Sequence, residues 1–197
     1  MSVGFVRLSS KMSKSNYQNL LPTLKTELGL KSVSAVPKIM KVVVNVGVGK
    51  LAGDTKAIGA IADELKRITG QLPVITKAKQ SIAGFKVREG DPVGVKITLR
   101  GGRMHDFLDK LVQVALPRVR DFQGLNPSAG FDCRGGYTLG LTEHVVFPEI
   151  VFENIDKVFS LEISIVTTAK NQDQTRHLLR ALGFPFQANV PGKGERI

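Results

Sequence analysis

The stretch from Gln71 to Gly101, QLPVITKAKQSIAGFKVREGDPVGVKITLRG, leaves this chain few ways to fold. From Val93 the apolar residues Val93, Val95, Ile97 and Leu99 alternate with Gly94, Lys96, Thr98 and Arg100. A period of two is the mark of a strand with one dry face and one wet face. A short strand precedes it, and the loop between them sets Lys77, Lys79, Lys86 and Arg88 against Glu89 and Asp91. A wet sheet face and an adjoining loop that both present cations can seat a phosphate backbone.

The rest of the chain supplies partners for that hairpin. Ile39 to Val48 predicts another strand, with Met40, Val42, Val44, Val46 and Val48 on one face and Lys41, Val43, Asn45 and Gly47 on the other. An asparagine in a valine-rich strand is unfavourable by propensity, so Asn45 either faces water or reads a ligand. Leu161 to Thr168 alternates in the same way, and Val145 to Ile150 predicts a short strand closed by Pro148. Helices are predicted over Ser15–Gly29, where Pro22 is an obstacle, and from Asp54 as cap through Leu65 to Ile68, ended by Gly70. Two more are predicted over Arg103–Leu116, stopped by Pro117, and within Lys170–Gly183, capped by Asn171 or Asp173. Residues 116–140 carry Pro, Gly and Asn too closely for a long element and read as an ordered loop anchored by Phe122, Phe131 and Tyr137.

Strands separated by helices, with a hairpin in the middle, predict an α+β domain. It is a mainly antiparallel sheet with helices packed on one face and the other face partly open for RNA. One such domain is expected over residues 15–186, between a flexible arm (1–14) and a loose tail (187–197). The arm holds Arg7, Lys11 and Lys14 and no acid. It reads as an RNA-touching arm, as sequence upstream of a start at Met12, or as an organelle transit peptide.

Charge narrows the function. The net charge is +11, and residues 1–120 hold 21 Lys and Arg against 8 acids, whereas residues 121–197 hold 7 against 9. So uneven a field favours a polyanion on one surface. Arg118, Arg120 and Arg134 are further candidate phosphate contacts, with salt bridges to Asp121 and Asp132 as the alternative. No catalytic constellation is visible: His105, His144 and His177 are scattered, and Cys133 is the only cysteine and has no base at a diagnostic spacing. The acids form no metal-binding cluster. The loop GVGKLAG after the first strand fits neither spacing of a nucleotide-binding loop. No enzymatic activity, cofactor or membrane span is expected. A second binding surface is expected on the less basic part of the chain, where Glu143, Glu149, Glu153 and Asp156 would face a basic protein.

Eight segments then make the sequence recognisable. They are VPKIMKVVVNVGVG from Val36, GQLPVITKAKQSIAGFKVREG from Gly70, GVKITLRGGRM from Gly94 and LPRVRDFQGL from Leu116. The FD-x-RG-x-Y-x-LG pattern from Phe131, FPEI at Phe147, SLEISIVTTAK from Ser160 and GFPF at Gly183 follow in order. Over residues 15–186 the chain closely resembles the bacterial-type large-subunit ribosomal proteins that bind 5S rRNA. That resemblance implies a place in the central protuberance, on 5S rRNA, near 23S-type rRNA and neighbouring proteins there. It also implies contact with P-site tRNA and a bridge to a small-subunit head protein. By motif, Asn45, Gln71, Thr98 and Arg100 correspond to 5S rRNA contacts on the sheet, and Lys41 and Lys96 join them on the same wet faces. The loop of Lys77, Lys79, Gln80 and Ser81 through Phe85 corresponds to the extension that reaches P-site tRNA. Related proteins often carry a basic pair where this one has Lys79 and Gln80, which leaves one cation fewer. A cytoplasmic ribosome is the implied location, or an organellar one if the arm is a transit peptide.

Overall fold

In a computed structural model, residues 14–30, 32–49, 54–85, 87–150 and 158–187 are described. Five strands form a single sheet: β1 (Ile39–Gly47), β2 (Val74–Lys77), β3 (Pro92–Leu99), β4 (Tyr137–Leu141) and β5 (Leu161–Thr167). Their order is β2-β3-β1-β5-β4, and every neighbouring pair is antiparallel. The alternation read from the sequence is the alternation of burial. Val42, Val44 and Val46 of β1, Val95, Ile97 and Leu99 of β3, and Leu161, Ile163 and Ile165 of β5 are all buried on one face. Met40 departs from the expected pattern. The register slips between Ile39 and Lys41, and this irregularity leaves Met40 half exposed instead of in the core.

Helices cover that apolar face. In α1 (Lys14–Glu27) the chain passes through Pro22 without breaking, and Leu24 is fully buried. In α2 (Thr55–Thr69) Ile58, Ile61, Leu65 and Ile68 are buried; Asp54 accepts from the Ala57 amide at 3.1 Å, and Gly70 closes the helix at φ 68°. The left-handed turn at Gly70 is one a side chain would oppose. Helix α3 (Gly102–Lys110) continues through a π-turn over Leu111–Ala115 into a last α-turn over Leu116–Arg118. Pro117 therefore lies inside the helical run instead of stopping it. A proline ring clashes with the carbonyl one turn back in a regular helix, and the wider π-turn just before it gives room. In α4 (Gln172–Ala181) Asn171 takes the capping position without a side-chain capping bond, while Asp173 pairs with Arg176 at 2.8 Å.

Two expectations for the connections change. The segment after Gly136 is the strand β4, with Tyr137, Leu139 and Leu141 buried in alternation. Val145–Ile150 is not a strand. His144–Val146 form a 3-10 turn, and Phe147 dives fully buried against Phe107, ring centroids 6.0 Å apart. His144 fixes this turn. Its Nε2 lies 3.0 Å from a Glu64 carboxylate oxygen, its Nδ1 accepts the Phe159 amide at 3.3 Å, and its ring stacks on Phe159. Burial pushes its pKa below the ordinary imidazole value, and with Nδ1 accepting the Phe159 amide the proton of the neutral ring sits on Nε2.

Candidate nucleic-acid interface

The face of the sheet away from the helices is polar, and strand register fixes who neighbours whom. One row across it runs Val74, Lys96, Asn45, Glu162, Gly140; the next runs Thr98, Val43, Ser164, Thr138. Lys96 is exposed, and Lys41, Asn45 and Thr98 are half-buried. Asn45 is neither a buried misfit nor freely solvated: its Nδ2 donates to a Glu162 oxygen at 3.2 Å. Ser164 and Thr138 hydroxyls lie 3.2 Å apart. Arg100 is exposed, one residue beyond the end of β3.

Gln71 reaches the same region from the edge. Pairing of β2 with β3 begins only at Val74 and Lys96, so the Thr98 carbonyl lies beyond the last β2 rung. The Gln71 Nε2 donates to that carbonyl at 3.2 Å. One of its donors is thus engaged by the fold, and its own carbonyl oxygen remains for a ligand. The structure therefore brings Asn45, Gln71, Lys96 and Thr98 together around β1 and β3, with Lys41 and Arg100 at one end.

The basic hairpin between β2 and β3 is ordered by its own backbone. Ala78 donates to Asp91 at 2.8 Å, Ile82 and Val87 bridge, and Asp91 accepts the Arg88 amide at 2.7 Å. Ser81 is partly used here, since its hydroxyl accepts the Glu89 amide at 2.9 Å. Lys77, Lys79, Gln80 and Ser81 are exposed. The Phe85 side chain and Lys86 lie outside the described residues.

Arg118 ends the α3 run, and Arg120 and Arg134 lie in the loop between it and β4. All three are exposed. Only Arg120 has a carboxylate nearby among the described residues, Asp121 at 3.9 Å with both side chains almost fully in solvent. A pair so exposed contributes little. Of the acids expected to form a second surface, Glu143 is exposed, whereas Glu149 is engaged by Lys110, whose ammonium also donates to the Ile68 carbonyl at 2.6 Å. Glu153 and Asp156 lie outside the described residues.

Nothing in this arrangement is poised for covalent chemistry. The Cys133 thiol is hydrogen-bonded to Asp132 at 3.3 Å, and that carboxylate raises its pKa, the reverse of nucleophile activation. Among the described residues no three His, Cys, Asp or Glu could hold a metal ion. None of the described helices is long and apolar enough to cross a membrane.

Sequence reasoning overlooked several residues of the open face: Thr76, Thr138, Glu162 and Ser164. Glu162 and Ser164 occupy the polar phase of LEISIVTT and were legible as such. Which strand they lie beside is a matter of register, and one sequence does not carry it.

Comparison with known proteins decides the family. Residues 32–88 match ribosomal protein L5, and residues 92–186 match the C-terminus of the same ribosomal family. The chain belongs to the ribosomal protein L5 family. It is 52% identical to the large ribosomal subunit protein uL5 of Francisella tularensis subsp. novicida (strain U112), over 176 residues covering 89% of this chain and 98% of that protein. It is 50% identical to the large ribosomal subunit protein uL5 of Thermoanaerobacter sp. (strain X514), over 177 residues covering 90% and 98%. The L5 family is one of structural ribosomal proteins, so this chain is not an enzyme. The boundary between the two family segments falls between residues 88 and 92, inside the basic hairpin. The open face is accordingly built from both, β1 and β2 from one and β3, β4 and β5 from the other.

Proposed function

We propose that this protein is a constituent of the large ribosomal subunit that holds 5S rRNA on the open face of its sheet. Support comes from one observation above all: in an L5-family chain, Lys41, Asn45, Lys96, Thr98 and Arg100 converge on the side of the sheet that none of the described helices covers. Cations there neutralise phosphate, and the Asn45, Gln71 and Thr98 groups offer donors and acceptors to base edges or 2′-hydroxyls. The protein helps attach 5S rRNA in the central protuberance, beside 23S-type rRNA. Its basic hairpin, with Lys77, Lys79, Gln80, Ser81 and Phe85, extends to P-site tRNA as a sequence-independent phosphate contact. Contact with a small-subunit head protein belongs to the same reading, with Glu143 as its exposed acid. The expected location is the cytoplasmic ribosome, in keeping with the bacterial relatives. Fusing residues 1–14 to a reporter tests the organellar alternative, which organelle import would establish. The central experiment is sedimentation followed by footprinting. The protein should travel with large subunits and protect 5S rRNA; a protein that stays at the top of the gradient and leaves 5S rRNA unprotected refutes the reading.

A further inference from the structure

The open face carries one feature that phosphate binding does not explain. On the same face as Lys96 stands a carboxylate, Glu162, second residue of β5 and in the row of Lys96 and Asn45. It lines an open depression of about 450 Å³ together with Asn45, Gly47, Gly140, Thr142 and Ser160. Glu162 is flanked by Asn45 on β1 and Gly140 on β4, directly across the two ladders. Gly47 lies two residues beyond Asn45 on the same face. A Cβ at Gly47 or at Gly140 would meet nothing within 4 Å. The backbone of Gly47 and Gly140 beside Glu162 is therefore open to a flat group, and Leu141 and Leu161 complete the lining. Asn45 donates to one carboxylate oxygen and thereby orients the group.

A carboxylate repels phosphate and accepts hydrogen bonds only. On a face that otherwise attracts a polyanion, its partners must be N–H or O–H donors of that same polyanion. Among RNA bases only guanine offers two adjacent donors, N1–H and the 2-amino group, on its Watson–Crick edge. Those two donors match the two oxygens of a carboxylate. The edge is free only where the base is unpaired. We infer that Glu162 and the glycine floor form a seat for one unpaired guanine of the bound RNA. This rests on the reading of the open face as the 5S rRNA surface. Glu162 acts there as a specificity-determining residue, and the neighbouring cations supply affinity.

The test uses the full chain and a set of 5S rRNAs, each with inosine, which lacks the 2-amino group, in place of one unpaired guanosine. E162Q should weaken binding to unmodified RNA by about tenfold, the size of one lost charge-assisted hydrogen bond. One inosine substitution should weaken the unmutated protein by a similar factor and leave E162Q no weaker than before. G140A keeps the fold, because its methyl enters open space, and it should weaken binding several-fold with an unchanged melting temperature. The inference is overturned if E162Q binds like the unmutated protein, if no inosine position separates the two, or if G140A binds undiminished. Failure of the unmutated protein itself to bind 5S rRNA is a different result and removes the proposed function as well.

Discussion

Arg100 and Lys96 share a face but not a setting, and their substitutions should differ accordingly. Arg100 lies past the last β3 residue, where its planar fork can grip phosphate bidentately. Arg100→Ala is expected to cost about 1–3 kcal/mol of 5S rRNA affinity, and to lower the salt slope by about one. Filter binding at several salt concentrations reads both, and unchanged affinity removes Arg100 from the site. Gly94 poses a different question. A Cβ there would come within 2.6 Å of the Thr76 hydroxyl oxygen. Gly94→Ala should therefore destabilise the fold by about 1–3 kcal/mol, as overpacking does. Adding Thr76→Ala should recover most of that loss in a urea melt.

At the scale of elements, the described part of the connection from β4 to β5 is tied to the core through the buried His144. His144, with no solvent exposure, joins Glu64 of α2 to the Phe159 backbone. His144→Ala removes the buried ring stacked on Phe159 and leaves the Phe159 amide without its acceptor. A loss of about 2–4 kcal/mol in chemical denaturation is expected. This connection is also where the sequence misled. VVFPEI has the apolar content of a strand, but β5 already has β1 and β4 on its two sides, and the segment goes to the core through Phe147. The strand β4 was hidden for the opposite reason. Its five residues include Gly140 and follow a glycine pair, so turn chemistry masked the alternation of Tyr137, Leu139 and Leu141. By contrast β1, β3, β5 and α2 were legible, because a long period and a cap pointed to the same answer. The candidate site was half legible. The polar phases of β1 and β3 named Asn45, Lys96 and Thr98, but the partnership of Asn45 with Glu162 spans 117 positions and depends on strand order.

For the whole molecule, the uneven charge makes binding a salt-sensitive equilibrium. With Lys41, Lys96 and Arg100 each neutralising a phosphate, the log–log salt slope for 5S rRNA should be about −2 to −3, by roughly −0.7 to −0.9 per contact. A slope near zero would mean that the cations are bystanders. The RNA should also stabilise the fold by mass action. At about 100 times Kd it adds about 2.7 kcal/mol, visible as a higher melting temperature. Lys79→Ala on the hairpin should leave this shift unchanged while reducing crosslinks to P-site tRNA.

The hairpin that bears Lys77 and Lys79 is not an appendage hung from an edge, because its second arm is β3, which is laced to β1 by six successive residue pairs. A tug on its tip along the strand direction would load that whole seam at once, in shear, instead of peeling it open rung by rung. The tip can thus be dragged by a moving neighbour while the far side of the sheet keeps its hold.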